Sequence, residues 1–149
     1  MPAHQFHATL TWRKGAEGLA AGNHRVEFEG RPPIEVSAAP QYRGDPSRLN
    51  PEELFLASLA SCQLLTYLAL ARGAGVSVLS YEDRAQATLA IVDKKMRMSE
   101  VVLRPRITLA AGADAEKGRA LTEAAHAGCF IANSVACPVR VEAEVRVAS

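Results

Sequence analysis

Three cysteines carry the most reactive side chains of this chain: Cys62, Cys129 and Cys137. A cysteine thiolate is a nucleophile and a metal ligand, and oxidation converts it to a sulfenic acid or a disulfide. No C-x-x-C pair occurs, and three cysteines this far apart do not form the framework of a secreted disulfide scaffold. Taken singly, each cysteine is expected to be a small core residue, because free cysteine is among the most buried residue types.

His126 adds one further possibility for chemistry, because it lies three residues before Cys129 and would share its face of a helix. Such a pair is compatible with two metal ligands or with a thiol tuned by an imidazole. A structural zinc site needs four ligands, however, so the pair alone is a weak signal. We expect no metal and no other cofactor. Cys137 precedes Pro138, and a packing role is its default interpretation.

The composition predicts a single globular domain over residues 1–149. Hydrophobic residues make up 48% and charged residues 22% of the chain, which excludes wholesale disorder. A net charge of +1 gives no reason to expect nucleic acid or an anionic membrane as a partner. The N-terminus has no apolar run of the kind found in signal peptides, so the sequence favours a cytoplasmic protein. The uncharged run Leu54–Ala71 is interpreted as a buried core helix, because its serines, Gln63 and Thr66 dilute its hydrophobicity.

The N-terminal third of the sequence predicts three strands followed by a sharply defined helix start. The strands are expected at Phe6–Trp12, His24–Phe28 and Ile34–Ser37, with a glycine-rich turn after the first that includes Gly15, Gly18 and Gly22. Asn50 is predicted as the N-cap, with Pro51 at the first helical position and Glu53 as the acid of a capping box. The helix is expected to continue to about Arg72 and to end at Gly73 and Gly75.

The remainder alternates strands with one more helix. A long strand, or one with a bend near residues 81–83, is predicted for Val76–Val92, and a returning strand for Met98–Leu109. A helix is predicted for Ala113–Cys129 and a last strand for Val139–Val147. The order βββαββαβ predicts an α+β fold in which mainly antiparallel sheets wrap around a buried central helix. Leu59 and Leu65 are expected in the core of that fold.

Two segments of the sequence resemble the signatures of the OsmC/Ohr family. Residues 50–62 read N-P-E-E-L-F-L-A-S-L-A-S-C, and residues 125–129 read A-H-A-G-C, like the family motif A-H-x-x-C at a helix end. Both motifs occur in order, with their cysteines 67 residues apart, and the predicted element order is similar to that of the family. Residues 130–134, F-I-A-N-S, replace the C-P-Y that Ohr proteins usually show, so the chain looks closer to the OsmC-like branch.

The resemblance implies a thiol peroxidase for organic hydroperoxides. Cys62 would then be the peroxidatic cysteine, which is oxidised to a sulfenic acid, and Cys129 the resolving cysteine, which condenses with it to a disulfide. Glu52 matches the family acid and would orient an arginine, whose guanidinium would hold the thiolate. The resemblance also implies a dithiol reductant, with a lipoylated protein as the candidate class.

The chain departs from the family pattern at that arginine. Related chains often carry it in an R-x-H on the second strand, whereas this chain reads Gly22-Asn23-His24-Arg25 there. Arg25 is the nearest substitute, and Arg43 and Arg48 are the alternatives. Because of this departure, a second function is an alternative to the peroxidase. In it, a dimer of the same fold binds a small hydrophobic molecule without catalysis.

Helix geometry predicts that the site is shared between two chains. Glu52 and Cys62 are ten residues apart, which is about 15 Å along a helix axis, and they differ by roughly 80° around it. One arginine cannot readily contact both groups on one helix. Two chains related by a two-fold axis, with antiparallel central helices, would bring Glu52 of one beside Cys62 of the other. We therefore expect an interlocked homodimer of the OsmC type.

Overall fold

The computed structural model describes residues 2–15 and 20–149, so Gly18 of the predicted glycine-rich turn lies outside the described residues. The chain divides into two compact units, residues 1–55 and 56–149. The helices are α1 (Pro51–Gly73) and α2 (Ala115–Gly128). The strands are β1 (Thr9–Thr11), β2 (His24–Glu27), β3 (Ile34–Val36), β4 (Val78–Asp83), β5 (Gln86–Val92), β6 (Lys95–Leu103), β7 (Pro105–Leu109), β8 (Val139–Val141) and β9 (Glu144–Val147).

The first unit contains a three-stranded antiparallel sheet in the order β1-β2-β3. The strands match the predicted ones, but β1 is shorter than the predicted Phe6–Trp12 and is exposed along its whole length rather than half-buried. A 3-10 turn at Pro40–Tyr42 follows β3 within the predicted loop. Gly44 lies against the backbone there, because a Cβ at this position would collide with the Ala38 carbonyl oxygen.

Helix α1 starts and ends where the sequence predicts. The Asn50 Oδ1 accepts a hydrogen bond of 2.9 Å from the Glu53 backbone N–H, and the Asn50 Nδ2 donates one of 2.9 Å to the Glu53 Oε1. Asn50 and Glu53 are therefore joined by two hydrogen bonds at the predicted start of the helix. At the other end, Gly75 has a φ of +71°, the left-handed conformation that terminates helices.

The predicted coverage of α1 on both sides is wrong within the single chain, because only one stripe of the helix is buried. That stripe consists of Leu59, Gln63, Tyr67 and Ala71, which are four residues apart. Leu65, expected in the core, is 65% exposed. The helix is long and apolar enough to cross a membrane by length and composition, a test that core helices also pass, but only 22% of its most apolar stretch is buried. An apolar surface of this kind indicates contact with a partner or a ligand.

The difference between Leu59 and Leu65 can be measured as stability. Leu59→Ala is expected to lower the free energy of unfolding by about 2–5 kcal/mol, since Leu59 is fully buried and truncation leaves a cavity. Leu65→Ala is the matched control on the same helix and should cost far less for the isolated chain. Urea unfolding at protein concentrations low enough to favour the single chain measures both, and equal losses would contradict the exposure of Leu65.

Two sheets of three strands each form the second unit, in the orders β4-β7-β9 and β5-β6-β8. The pairs β4–β7 and β5–β6 are antiparallel, whereas β8 and β9 join β6 and β7 in parallel. Each long strand predicted from the sequence is broken in two, and at one break the Asp83 Oδ1 accepts a 2.7 Å hydrogen bond from the Arg104 backbone N–H. The α+β class with mainly antiparallel sheets is confirmed. The expectation of one domain over 1–149 stays a prediction.

Helix α2 begins at Asp114, whose Oδ1 accepts hydrogen bonds from the backbone N–H groups of Glu116 and Lys117. It packs so closely on β7 and β9 that a Cβ at Gly118 would lie 2.6 Å from the Leu109 Cδ1. The buried residues of α2 are Gly118, Thr122 and Ala125, because small side chains permit this close approach.

Candidate active site

Two buried polar side chains of α1 fix this helix against α2. The Gln63 Nε2 donates a 3.1 Å hydrogen bond to the Thr122 carbonyl, and the Tyr67 hydroxyl donates one of 3.1 Å to the Gly118 carbonyl. Breaking a buried hydrogen bond costs free energy, because no water replaces the lost partner. These two bonds therefore hold the helices in one register relative to each other. Cys62 precedes Gln63, and its position relative to α2 is fixed with it.

The structure brings Cys62 and Cys129 close together. Their thiols lie near enough for each to shift the pKa of the other, although 67 residues separate them in the sequence. Cys62 is partly exposed, whereas Cys129 is 1% exposed. Both are free thiols in this structure. The accessible thiol of Cys62 therefore lies next to the buried thiol of Cys129.

Cys129 terminates α2 rather than lying on its face. As the C-cap it has an extended backbone, with φ −71° and ψ 113°, and its N–H donates to the His126 carbonyl at 3.3 Å. His126 is therefore in the last turn of α2, and Cys129 follows the helix directly. The chain turns back over the thiols in residues 129–134, and the Ala132 backbone N–H donates to the Cys129 Sγ at 3.4 Å.

The surroundings separate the pKa values of the two thiols. Partial burial alone would raise the pKa of Cys62, but hydrogen bonds from the Ile131 backbone N–H, the Cys129 thiol, the Thr66 hydroxyl and the Phe130 backbone N–H lower it below its ordinary value. Burial raises the pKa of Cys129, and so do its hydrogen bond to Cys62 and the negative charge of a Cys62 thiolate. Cys62 is thus the thiol that ionises first.

An open apolar cavity of about 500 Å³ adjoins Cys62. Its wall is formed by residues of α1 and of the turn after α2, namely Ser58, Ser61, Cys62, Leu65, Thr66, Ala69, Gly128, Phe130 and Ile131. Phe130 is 80% exposed, and the exposed Leu65 belongs to this same wall. A cavity with such a lining accommodates an apolar group next to the reactive sulfur.

The other predicted site residues lie in the first unit. Glu52 is in the first turn of α1, and its Oε2 is buried without a hydrogen-bond partner among the described residues. The Arg25 Nε lies 2.7 Å from the Glu35 Oε1, and the Arg48 Nη1 lies 2.9 Å from the Glu35 Oε2. Arg43 is exposed and has a left-handed backbone, with a φ of 64°. Arg25 and Arg48 are thus held by the same carboxylate.

His126 and Cys137 are not among the residues that line the cavity next to Cys62. His126 instead lines a groove beside β8, and its buried Nδ1 has no hydrogen-bond partner in the described part of the chain. Cys137 is partly exposed and precedes the Pro138 carbonyl, which accepts a hydrogen bond from the Val101 N–H. Within residues 2–15 and 20–149, no group of three His, Cys, Asp or Glu side chains could hold a metal ion.

The groups that lower the pKa of Cys62 were not predicted from the sequence. Thr66 could have been found, because it lies four residues after Cys62 on the same helix face. The backbone N–H groups of Phe130 and Ile131 leave no signal in the residue types, since any residue except proline carries such a donor.

Known proteins resemble this chain in sequence and in fold. The family model described as OsmC-like protein matches residues 44–144. An OsmC-like protein of unknown function from Vibrio cholerae has a similar structure, with 31% sequence identity, a TM-score of 0.87 and coverage of 95% of this chain and 100% of that one. No protein with a curated description matches the chain.

Two further solved structures share the fold at lower identity. An organic hydroperoxide resistance protein OsmC from Legionella pneumophila is 21% identical, with a TM-score of 0.74 and coverage of 99% of this chain and 100% of that one. An organic hydroperoxide resistance protein from Elizabethkingia anophelis, with thiocyanate bound, is also 21% identical, with a TM-score of 0.74 and coverage of 99% of each chain.

Proposed function

Because the chain belongs to the OsmC-like protein family, we propose that it is a thiol peroxidase that reduces organic hydroperoxides, with Cys62 as the peroxidatic and Cys129 as the resolving cysteine. The observation that carries the proposal is that these two thiols, on two different helix segments, lie next to each other and to an apolar cavity. Neighbouring thiols of unequal pKa can serve as the attacking and the resolving cysteine of a disulfide-forming reaction. Two proteins of similar structure, both named organic hydroperoxide resistance proteins, support the substrate class.

The reaction follows from the order in which the thiols ionise. The Cys62 thiolate attacks the terminal peroxide oxygen, so that an S–O bond forms, the O–O bond breaks and an alkoxide leaves. The Cys129 thiol supplies the proton that converts the alkoxide to an alcohol. The resulting Cys129 thiolate attacks the Cys62 sulfenic acid, so that an S–S bond forms and hydroxide leaves. One hydroperoxide is reduced and two thiols are oxidised in each turnover.

The apolar cavity beside Cys62 is the reason for proposing an organic hydroperoxide as the substrate. An alkyl or aryl group of the hydroperoxide would bury its surface against Leu65, Phe130 and Ile131, which gains about 25 cal/mol for each Å² removed from water. Hydrogen peroxide has no such group. The expected substrates are alkyl and lipid hydroperoxides, and the expected role is antioxidant defence in oxidative stress.

A dithiol reductant must then restore the two thiols, and a lipoylated protein is the class we propose. The cycle requires an environment in which thiols are kept reduced, which supports the proposed location in the cytoplasm. The exposed cavity and Phe130 leave the sulfur accessible to such a reductant.

Glu52 and Arg25 complete the proposed site, and we propose that they do so across a homodimer. Within the described residues, one buried carboxylate oxygen of Glu52 has no hydrogen-bond partner, which fits a group that orients a guanidinium. The arginine would hold the anionic sulfur during attack, and Arg25 has first to release Glu35. The unburied apolar surface of α1 supports a partner chain as its cover.

The alternative function, binding of a small hydrophobic molecule without catalysis, is favoured by the same open cavity. Titration of the reduced protein with one equivalent of cumene hydroperoxide distinguishes the two. The peroxidase loses two of its three thiols per chain within seconds, whereas a binding module keeps all three. Cys62→Ser is the control and should keep its two remaining thiols.

A further inference from the structure

We propose that the backbone N–H of Ala132 stabilises the Cys129 thiolate in the resolving step, and that Asn133 is the positioning residue that keeps this N–H in place. This role rests on the proposed function of Cys129 as the resolving cysteine. The observation behind it is the 3.4 Å hydrogen bond that the Ala132 N–H donates to the Cys129 Sγ. All of these groups belong to the second unit of one chain, so no partner chain is needed to bring them together.

Cys129 has to ionise where water does not reach it. It is 1% exposed within a single chain, and a second chain can only bury it further. Burial raises the pKa of the Cys129 thiol, and the neighbouring Cys62 raises it as well. A hydrogen bond from an N–H group to the ionised sulfur opposes the effect of burial. The Ala132 N–H supplies such a bond and lowers the pKa of Cys129.

The turn after α2 is arranged around this bond. Cys129 has an extended backbone, with φ −71° and ψ 113°, and helical geometry resumes at Ile131, with φ −72° and ψ −42°. The Asn133 N–H donates to the Cys129 carbonyl at 3.0 Å, so Cys129 directly precedes a single helical turn. A serine in this position would accept the N–H three residues later through its side chain. The Cys129 sulfur accepts that same N–H, which orients the thiol.

Asn133 joins the turn to the end of α2. Its Nδ2 donates a 3.1 Å hydrogen bond to the Ala127 carbonyl, which lies in the last turn of the helix and needs a donor from outside it. Its backbone N–H donates to the Cys129 carbonyl. Asn133 therefore holds the turn on both sides of the helix end, and the Ala132 N–H just before it stays against the sulfur.

The order of the proposed reaction determines when this bond acts. While Cys62 is a thiolate, its negative charge opposes ionisation of Cys129. Cys129 then gives its proton to the departing alkoxide, and Cys62 carries the transferred oxygen as a sulfenic acid. The opposing charge on Cys62 is now gone, and the Ala132 N–H stabilises the Cys129 thiolate until it attacks the Cys62 sulfur. The S–S bond forms and hydroxide leaves.

The resolving step can be measured without a hydroperoxide by means of the aromatic disulfide DTNB. In the Cys137→Ser background, the Cys62 thiolate attacks DTNB and releases one coloured aromatic thiolate. Cys129 then attacks the mixed disulfide at Cys62, so that the protein disulfide forms and a second aromatic thiolate leaves. The first phase reports on Cys62 and the second on Cys129. A protein without hydroperoxide turnover would refute the proposed peroxidase and leave this measurement intact.

The Ala132 N–H can be removed alone, because the junction of Gly128 and Cys129 is suited to chemical ligation. A synthetic segment of residues 129–149 with lactic acid in place of Ala132 is ligated to residues 1–128, and the all-amide ligated protein is the control. The ester lacks the donor but keeps the methyl side chain. Below the pKa of Cys129, we expect the second phase to slow about tenfold and its pH profile to shift upward by about one unit, with an unchanged first phase. An unchanged second phase, or equal slowing of both phases, would overturn the inference.

Asn133→Ala tests the positioning residue by mutagenesis, and it carries the test if circular dichroism finds that the ester protein does not refold. It removes the bond to the Ala127 carbonyl and is expected to slow the second phase about threefold, with an unchanged first phase. Ser134→Ala is the matched control, because the Ser134 hydroxyl donates to the Phe130 carbonyl at 2.7 Å, inside the turn rather than to α2. It should leave both phases unchanged. A wild-type second phase in Asn133→Ala, or an equal loss in Ser134→Ala, would contradict the role of Asn133.

Discussion

Replacing Cys62 with serine abolishes hydroperoxide turnover in the proposed mechanism, because a serine hydroxyl is not ionised at neutral pH and does not accept the peroxide oxygen. Cys129→Ser behaves differently. It is expected to react once with a hydroperoxide and then to accumulate the sulfenic or sulfinic acid at Cys62, since no neighbouring thiol is left to form the disulfide. Intact-mass measurement before and after addition of cumene hydroperoxide distinguishes the two variants.

The matched control for both is Cys137→Ser, which removes the cysteine that lies outside the thiol pair. It should keep turnover, and its oxidised form should contain the Cys62–Cys129 disulfide within one chain. Peptide mapping that finds Cys129 joined to Cys137 instead would contradict the assignment of the resolving cysteine.

Mixing two inactive variants restores activity if the site is shared between chains. In a heterodimer of Cys62→Ser and Glu52→Ala chains, one site receives an intact Cys62 and an intact Glu52, and the other receives neither. Random exchange of equal amounts should therefore recover about one quarter of the wild-type activity per dimer. The measurement is peroxide consumption after subunit exchange, compared with each variant alone.

Cys62→Ser mixed with Cys129→Ser is the control for this experiment. These two cysteines contact each other within one chain, so their variants should not complement. A protein that is monomeric by light scattering at micromolar concentration and fully active as a peroxidase would refute the shared site.

Local features of the sequence were sufficient to predict the ends of α1. The Asn50 side chain accepts the Glu53 backbone N–H, Pro51 has no N–H that needs a partner, and Gly75 adopts a conformation that other residues avoid. The long strands were predicted only in part. The bend expected near residues 81–83 corresponds to the break between β4 and β5, whereas the breaks at residue 104 and at residues 142–143 were not predicted.

The resemblance to OsmC-like proteins also predicted more than any single residue did. Cys62 and Cys129 carried no functional signal separately, because an isolated cysteine is most often a core residue. Two motifs in the same order indicated the family, which the match over residues 44–144 confirms. The roles of the two cysteines, of Glu52 and of Arg25 stay predictions.

The sequence by itself determined the fold class, the helix that carries Cys62 and the family, because helix caps, apolar periodicity and motif spacing are properties of neighbouring residues. Only the tertiary structure decided the environment of the thiols. The proximity of Cys62 and Cys129, the exposure of Leu65 and the backbone groups that lower the pKa of Cys62 depend on how distant segments pack together. Backbone donors are common to almost every residue type, so the pattern of side chains does not predict where they converge.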